Sequence, residues 1–305
     1  MQYPFQAVLL LLMLVGCSKS IRPQQLFDDV KELSSDRYEG RKTGTAGNKM
    51  AIDYISSRFR QLGLKSFETS YAHDFRIKGN GGINSGTNLI AYLPGKTDEA
   101  IVITAHFDHV GKVNGQIYNG ADDNASGVAG LLALATYFSK HPPQHTLVFA
   151  ALDAEEMGLL GARAFVEQPP LPIEKIKLNV NMDMISRSES GELFAAGSYH
   201  YPELKKYLFT TNSKIKLMMG HDHPDQGKDD WTNQSDHFAF HQKKIPFIYF
   251  GVEDHQDYHQ PTDDFERIHQ EFFRNSVNVI VEVVGNIDKN ISTKSIFRDK
   301  VIMDK

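Results

Sequence analysis

Five short stretches of this sequence bring carboxylates and imidazoles together in ways that can hold a divalent cation or move a proton. In Ala105-His106-Phe107-Asp108-His109, residues two apart in extended chain project to the same side. His106 and Asp108 therefore pair, and His109 projects the other way. A carboxylate beside a metal-binding imidazole fixes its tautomer and raises its basicity. In Asn119-Gly120-Ala121-Asp122-Asp123-Asn124-Ala125-Ser126-Gly127, small residues let the backbone turn tightly while Asp122 reaches inward. Asp123, Asn124 and Ser126 are suited to capping the helix that follows. Asp153-Ala154-Glu155-Glu156 follows an apolar run. Two adjacent glutamates at a buried strand end are unfavourable unless a cation or proton compensates them. Their side chains diverge, so one can ligate a metal while the other acts as a base. The competing explanation is an exposed helix start, which favours acidic residues. Asn181-Met182-Asp183 and Tyr258-His259-Gln260-Pro261-Thr262-Asp263 complete the set.

What gives these stretches weight is the elements expected to position them. Apolar runs at 88–93, 100–105, 146–152, 178–184 and 246–252 read as strands. Helical spacing marks 26–33, 49–62, 126–139, 158–166 and 265–287, with a Gly-, Thr- and Arg-rich loop at 40–47 that holds Arg41 and Thr45. Near-continuous apolar strands alternating with helices predict an α/β fold with a mainly parallel sheet covered on both faces. Ligands of such sheets bind at the carboxyl ends of the strands, where the acidic and histidine residues fall. Residues 186–235 are the least regular and are expected to be an insertion bordering the site. His221, Asp222 and His223 lie there with no strand to position them, and read as loop residues, as do His255 and Asp257.

With 305 residues, the chain suits one large domain, here 25–288, with a polar tail at 289–305. A net charge of −5 and the lack of a long basic run give no reason to expect a nucleic-acid partner. The apolar run 7–15 is too short to span a bilayer as a mature helix and reads as an export signal. Leu14-Val15-Gly16-Cys17 resembles a bacterial lipobox, although residues 2–6 lack the usual Lys or Arg. That resemblance implies a signal peptide at 1–17, lipid-modified Cys17, a tether at 18–24 and anchorage to the membrane of a bacterial cell envelope. Cys17 is the only cysteine, so disulfides contribute nothing.

The motifs AHFDHVG at 105–111, GADDNASG at 120–127, LDAEEMGLLGARAF at 152–165, NMD at 181–183 and YHQPTDD at 258–264 resemble the M28 family of zinc aminopeptidases and carboxypeptidases. The resemblance implies a three-layer zinc-exopeptidase (phosphorylase/hydrolase-like) fold with a mixed, mainly parallel sheet flanked by helices. It also implies two Zn²⁺ per chain, one held by His106 and Asp183, the other by Glu156 and His259, with Asp122 bridging. Nitrogen and oxygen ligands without thiolate suit zinc. Glu155 matches the general base that serves the metal-activated water, and Asp108 the partner of the first histidine. Tyr258 matches a tyrosine that stabilises the oxyanion, and Asp236 falls in a segment lining the substrate pocket. A non-proline cis bond is implied at Asp122–Asp123. The implied activity is removal of N-terminal residues from peptides. Glutaminyl cyclase, which shares the fold with a single zinc, is the nearest rival. A non-catalytic peptide-binding surface lipoprotein is a further one.

Overall fold

An eight-stranded sheet organises the computed structural model, which describes residues 23–80 and 83–291. Its strands are β1 (Ala72–Asn80), β2 (Ile83–Leu93), β3 (Ala100–His106), β6 (Thr146–Leu152), β7 (Ile176–Met182), β8 (Glu192–Ala196), β9 (Lys216–Met219) and β10 (Phe247–Gly251), while β4 (Gly111–Val113) and β5 (Gln116–Tyr118) form a small hairpin. The order across the sheet is β1-β2-β6-β3-β7-β10-β8-β9. The four central strands β6, β3, β7 and β10 run parallel, and β2 and β8 flank them antiparallel. The mixed α/β sheet is therefore as the sequence predicts.

Two faces of the sheet need cover, and the period of two shows on each. From β3, Ile101 and Ile103 enter one apolar cluster, whereas Ala100 and Val102 enter the other. The first is covered by α1 (Pro23–Leu33), α2 (Ala46–Gln61), α3 (Gly127–Lys140) and α6 (Gln270–Asn290). The second lies under α4 (Leu160–Glu167) and α5 (His237–Gln242), where Phe165 meets Phe240 at 5.3 Å between ring centroids. Truncating either buried phenylalanine to alanine costs on the order of 3–5 kcal/mol. A small set of aromatic side chains thus anchors that thinner layer.

The structure departs from expectation at the sheet edges. Residues 186–235 are not simply an insertion beside the sheet, because they supply β8 and β9. Both strands are short, at five and four residues, and carry too few alternations to show a period. β1 was not expected either: polar His73, Asp74 and Arg76 interrupt its apolar pattern, as befits an edge strand. Helix α1 begins at Pro23, within the stretch expected as a tether, and α6 runs to Asn290 with Ile291 buried behind it. The expected signal peptide, Cys17 and most of the polar tail lie outside the described residues. Among the described residues, no helix is long and apolar enough to cross a membrane.

Candidate metal centre and active site

The carboxyl ends of the parallel strands converge on one spot. His106 is the last residue of β3, and Asp183 follows β7 directly. Glu155 and Glu156 follow β6 after a turn in which Ala154 takes φ +58°. The loop after β10 delivers His259, and the turn before α3 delivers Asp123. Two donor clusters result, His106–Asp123–Asp183 and His109–Asp123–Glu156–His259, and within each the donor atoms all lie within 4.8 Å of one another. The oxygens of Asp123 divide between them. Oδ1 is 3.4 Å from His106 Nε2, which also lies 3.2 Å from Asp183 Oδ1. Oδ2 is 3.0 Å from His259 Nε2 and 3.7 Å from His109 Nδ1. Glu156 Oε1 is 3.2 Å from His259 Nε2.

Asp123, not Asp122, therefore lies between the two clusters, and the expected position of Asp122 is corrected. Asp122 Oδ1 accepts from the Ser186 N–H and hydroxyl, both at 2.7 Å, and from Ser126 Oγ at 3.2 Å; Oδ2 lies 3.0 Å from His255 Nε2. Its oxygens are engaged away from both clusters. The cis peptide is likewise one residue later than expected, at Asp123–Asn124. The turn is fixed from outside: the Asp263 carboxylate accepts the N–H groups of Asp122 and Asp123. Asn124 alone does the expected local work, accepting from the Gly127 N–H at the start of α3.

His109 is the residue that sequence reasoning placed wrongly. Strand alternation was extended to it, but β3 ends at His106, so alternation no longer sets its direction. Asp108 is beside His106, yet its role is broader than expected. Its backbone oxygen, 3.1 Å from His106 Nδ1, is nearer than its carboxylate at 3.8 Å. The carbonyl therefore fixes the tautomer, leaving Nε2 to face the cluster. The Asp108 carboxylate accepts instead from the N–H groups of Glu155 and Glu156, at 3.0 and 3.3 Å.

Burial pushes the Glu155 carboxyl well above its ordinary range; His106 opposes this, and Asp183, Asp236 and Asp108 add to it. Glu156 behaves oppositely. Burial raises it, but hydrogen bonds with His109 and His259 hold it at about 2. Tyr258 stacks on His259 with ring centroids 4.1 Å apart, and both line a cleft with Glu155, Asp183, Trp231 and Asp254. Burial and then the nearby Asp123 and Asp183 raise its phenol, so it stays protonated. Asp236 is corrected as a substrate contact. It is fully buried and does not line the cleft; both its oxygens lack hydrogen-bond partners, and burial pushes its carboxyl up to about 7. Its neighbour Ser235 instead donates to Asp183 Oδ2 at 2.7 Å. His221 and Asp222, read as loop residues, make packing contacts: His221 stacks on Trp231 at 3.7 Å, and Asp222 accepts from the N–H groups of Gly197 and Tyr199.

Arg41, not foreseen as part of this arrangement, is fully buried and donates to the carbonyls of Leu33, Phe107, Asn119 and Gly120. Its charge acts on Asp123, Asp263, Asp108 and Glu156 through space, while its N–H groups go to those carbonyls. Asp123, Glu155, Glu156 and Asp183 thus crowd against three imidazoles, and hydrogen bonds with Asp123 and Glu156 raise His259 to about 10. Such a site calls for positive charge, and its nitrogen and oxygen donors without thiolate fit zinc.

The same architecture occurs in solved proteins. BSAP, a zinc aminopeptidase from Bacillus subtilis, superposes with a TM-score of 0.72 at 17% identity, covering 92% of this chain and 99% of that one. A Porphyromonas gingivalis glutaminyl cyclase gives 0.70 at 16% identity, covering 87% and 98%. At such identities the likeness concerns the fold. Sequence relatives add more: aminopeptidase YwaD of Bacillus subtilis is 27% identical over 62% of this chain and 41% of its own length. The alkaline phosphatase isozyme conversion protein of Escherichia coli K12 is 31% identical over 43% of this chain and 42% of its own. The chain thus matches less than half the length of these curated relatives. The fold is thus the one that these solved proteins carry, with two candidate metal clusters at the carboxyl ends of its strands. Residues 88–284, more than half of the chain, match peptidase family M28, and the chain belongs to that family.

Proposed function

We propose that this peptidase is a two-zinc aminopeptidase that removes N-terminal residues from peptides. The observation that carries the reading is the pair of donor clusters sharing Asp123 beneath the cleft, with Glu155 at their margin. His106 and Asp183 would hold one ion, Glu156 and His259 the other, with Asp123 between them. Zinc bound there supplies positive charge that acidifies water and polarises a carbonyl. Glu155 takes the proton of the attacking water and delivers it to the leaving amine; its raised affinity for protons suits that task near neutral pH. Tyr258, kept neutral, donates towards the oxyanion that develops.

The charge of the cleft favours an aminopeptidase over a carboxypeptidase. Its lining includes Glu155, Asp183 and Asp254 but no Lys or Arg among the described residues. A substrate's free ammonium is welcome there, whereas a terminal carboxylate would find no cationic side chain. The test is a panel of free-N-terminus, blocked-N-terminus and blocked-C-terminus peptides, together with Leu- and Ala-anilides and Gln-peptides. Cleavage only where the N-terminus is free is expected, and Glu155→Gln should retain metal while kcat falls about 10²–10⁴-fold. Cyclisation of the Gln-peptides without any hydrolysis would overturn the proposal.

Envelope anchorage through lipidated Cys17 is part of the same reading and is supported by the sequence motif alone. Metabolic labelling with a fatty acid should mark the wild-type chain and not Cys17→Ser. Equal labelling of both would refute it.

A further inference from the structure

The expected ligand set does not include His109, yet its geometry is that of a donor. Nδ1 lies 2.9 Å from Glu156 Oε1 and 3.7 Å from Asp123 Oδ2, while His259 Nε2 lies 3.2 and 3.0 Å from the same two atoms. Donors at the corners of a tetrahedron, with bonds of about 2.0–2.1 Å to a central zinc, sit about 3.3 Å apart. The four separations straddle that value. The His109 side chain is fully buried. Its Nε2 has no hydrogen-bond partner, so packing and the two carboxylates set the ring's direction. Gly120, at φ +57°, makes room for it: a Cβ there would fall 2.5 Å from His109 Cδ2.

We infer that His109 is a direct ligand of the second metal, closing that site into a cage of four protein donors with Asp123, Glu156 and His259. The other site, His106–Asp123–Asp183, has three protein donors, and these line the cleft together with Glu155. Four protein ligands are the mark of structural zinc sites, and three with an open position the mark of catalytic ones. The two ions therefore differ in role: the caged one is held tightly and braces Asp123, and the open one faces the substrate. This inference rests on the two-metal reading above.

The competing role for His109 is a hydrogen-bond donor that merely positions Glu156. Metal-depleted full-length chains, checked for folding by circular dichroism, separate the two. Equilibrium dialysis against Zn²⁺ should load two equivalents of unequal affinity on the wild type. His109→Asn keeps an N–H donor but is a poor ligand. It should weaken one equivalent by more than the roughly 10–100-fold expected when only a supporting hydrogen bond is lost. His109→Cys provides the direct readout, because its Sγ hangs from Cβ near the place of the proximal nitrogen Nδ1. Loaded with Co²⁺, it should regain the second equivalent and show a near-ultraviolet thiolate-to-cobalt charge-transfer band. The wild type, which carries the same Cys17, should show none. Two tight equivalents in both variants without such a band would overturn the inference and leave the two-metal reading standing. Fewer than one equivalent on the wild type would overturn both.

Discussion

At the residue scale, Asp122 and Asp123 show how neighbours of one type come to face different surroundings. A carboxylate saturated by local donors has nothing left for an ion. Asp122 meets Ser186, Ser126 and His255, whereas Asp123 meets only imidazoles on its side-chain oxygens. Asp122→Asn should accordingly keep both metals and lose about 1–3 kcal/mol of stability. Asp123→Asn should lose metal and turnover while staying folded. Metal analysis and thermal unfolding of the pair check this; metal loss in the Asp122 variant instead would restore the original assignment. The sequence made the cluster legible through residue type and strand-end position. It could not show which aspartate was free, because Ser186 and His255 approach Asp122 from 64 and 133 residues away.

Among the elements, legibility followed burial. β3 and β6 are almost wholly apolar and were bounded to within a residue, because strands covered on both faces read as near-continuous apolar runs. The edge strands β1 and β9 have one side free, and β8 between β10 and β9 has only five residues, so their limits could not be read. Another feature invisible to periodicity is the way the segment Asp36–Arg41 ties the elements together. Arg41 joins the end of α1 to the loops after β3 and before α3 through four carbonyls. Burial lowers its pKa to about 10, still well above neutrality. Arg41→Met keeps the volume but strands those carbonyls, and a loss on the order of 3–5 kcal/mol is expected in urea unfolding. Arg41→Lys should recover little of it, since one ammonium cannot reproduce the fork. A loss below about 1 kcal/mol in the Met variant would show that the clamp is dispensable.

For the whole molecule, the closing contact lies far from the site. Asp288, near the end of α6, accepts from the N–H groups of Gln144 and His145 and lies 3.2 Å from the His145 ring nitrogen, pinning the last helix to the start of β6. Burial opposes its charge, but His145 and these N–H groups hold its carboxyl below the usual range. That stabilisation is present above the unfolded value of about 3.9 and is lost as pH falls through the lower folded value. His145 is raised, first by its hydrogen bond with Asp288. Its share is complete below about 6.5 and is lost as pH rises through the raised value. The pair therefore contributes most between about pH 4 and 6.5. Asp288→Asn should reduce unfolding free energy by about 1–3 kcal/mol in that window. The difference should shrink on acidification. A deficit that persists unchanged at the acid end would rule out the carboxylate's charge as its source.

The donors of the two clusters are spread from His106 to His259, with Asp123 shared and His259 contributed by the loop after the last parallel strand. Synthesis from the amino end releases that loop after every other donor of the two clusters. A nascent fragment lacking it can offer the first cluster but never the second. On the two-metal reading, the first cluster is therefore complete once Asp183 has emerged, and the second only once His259 has.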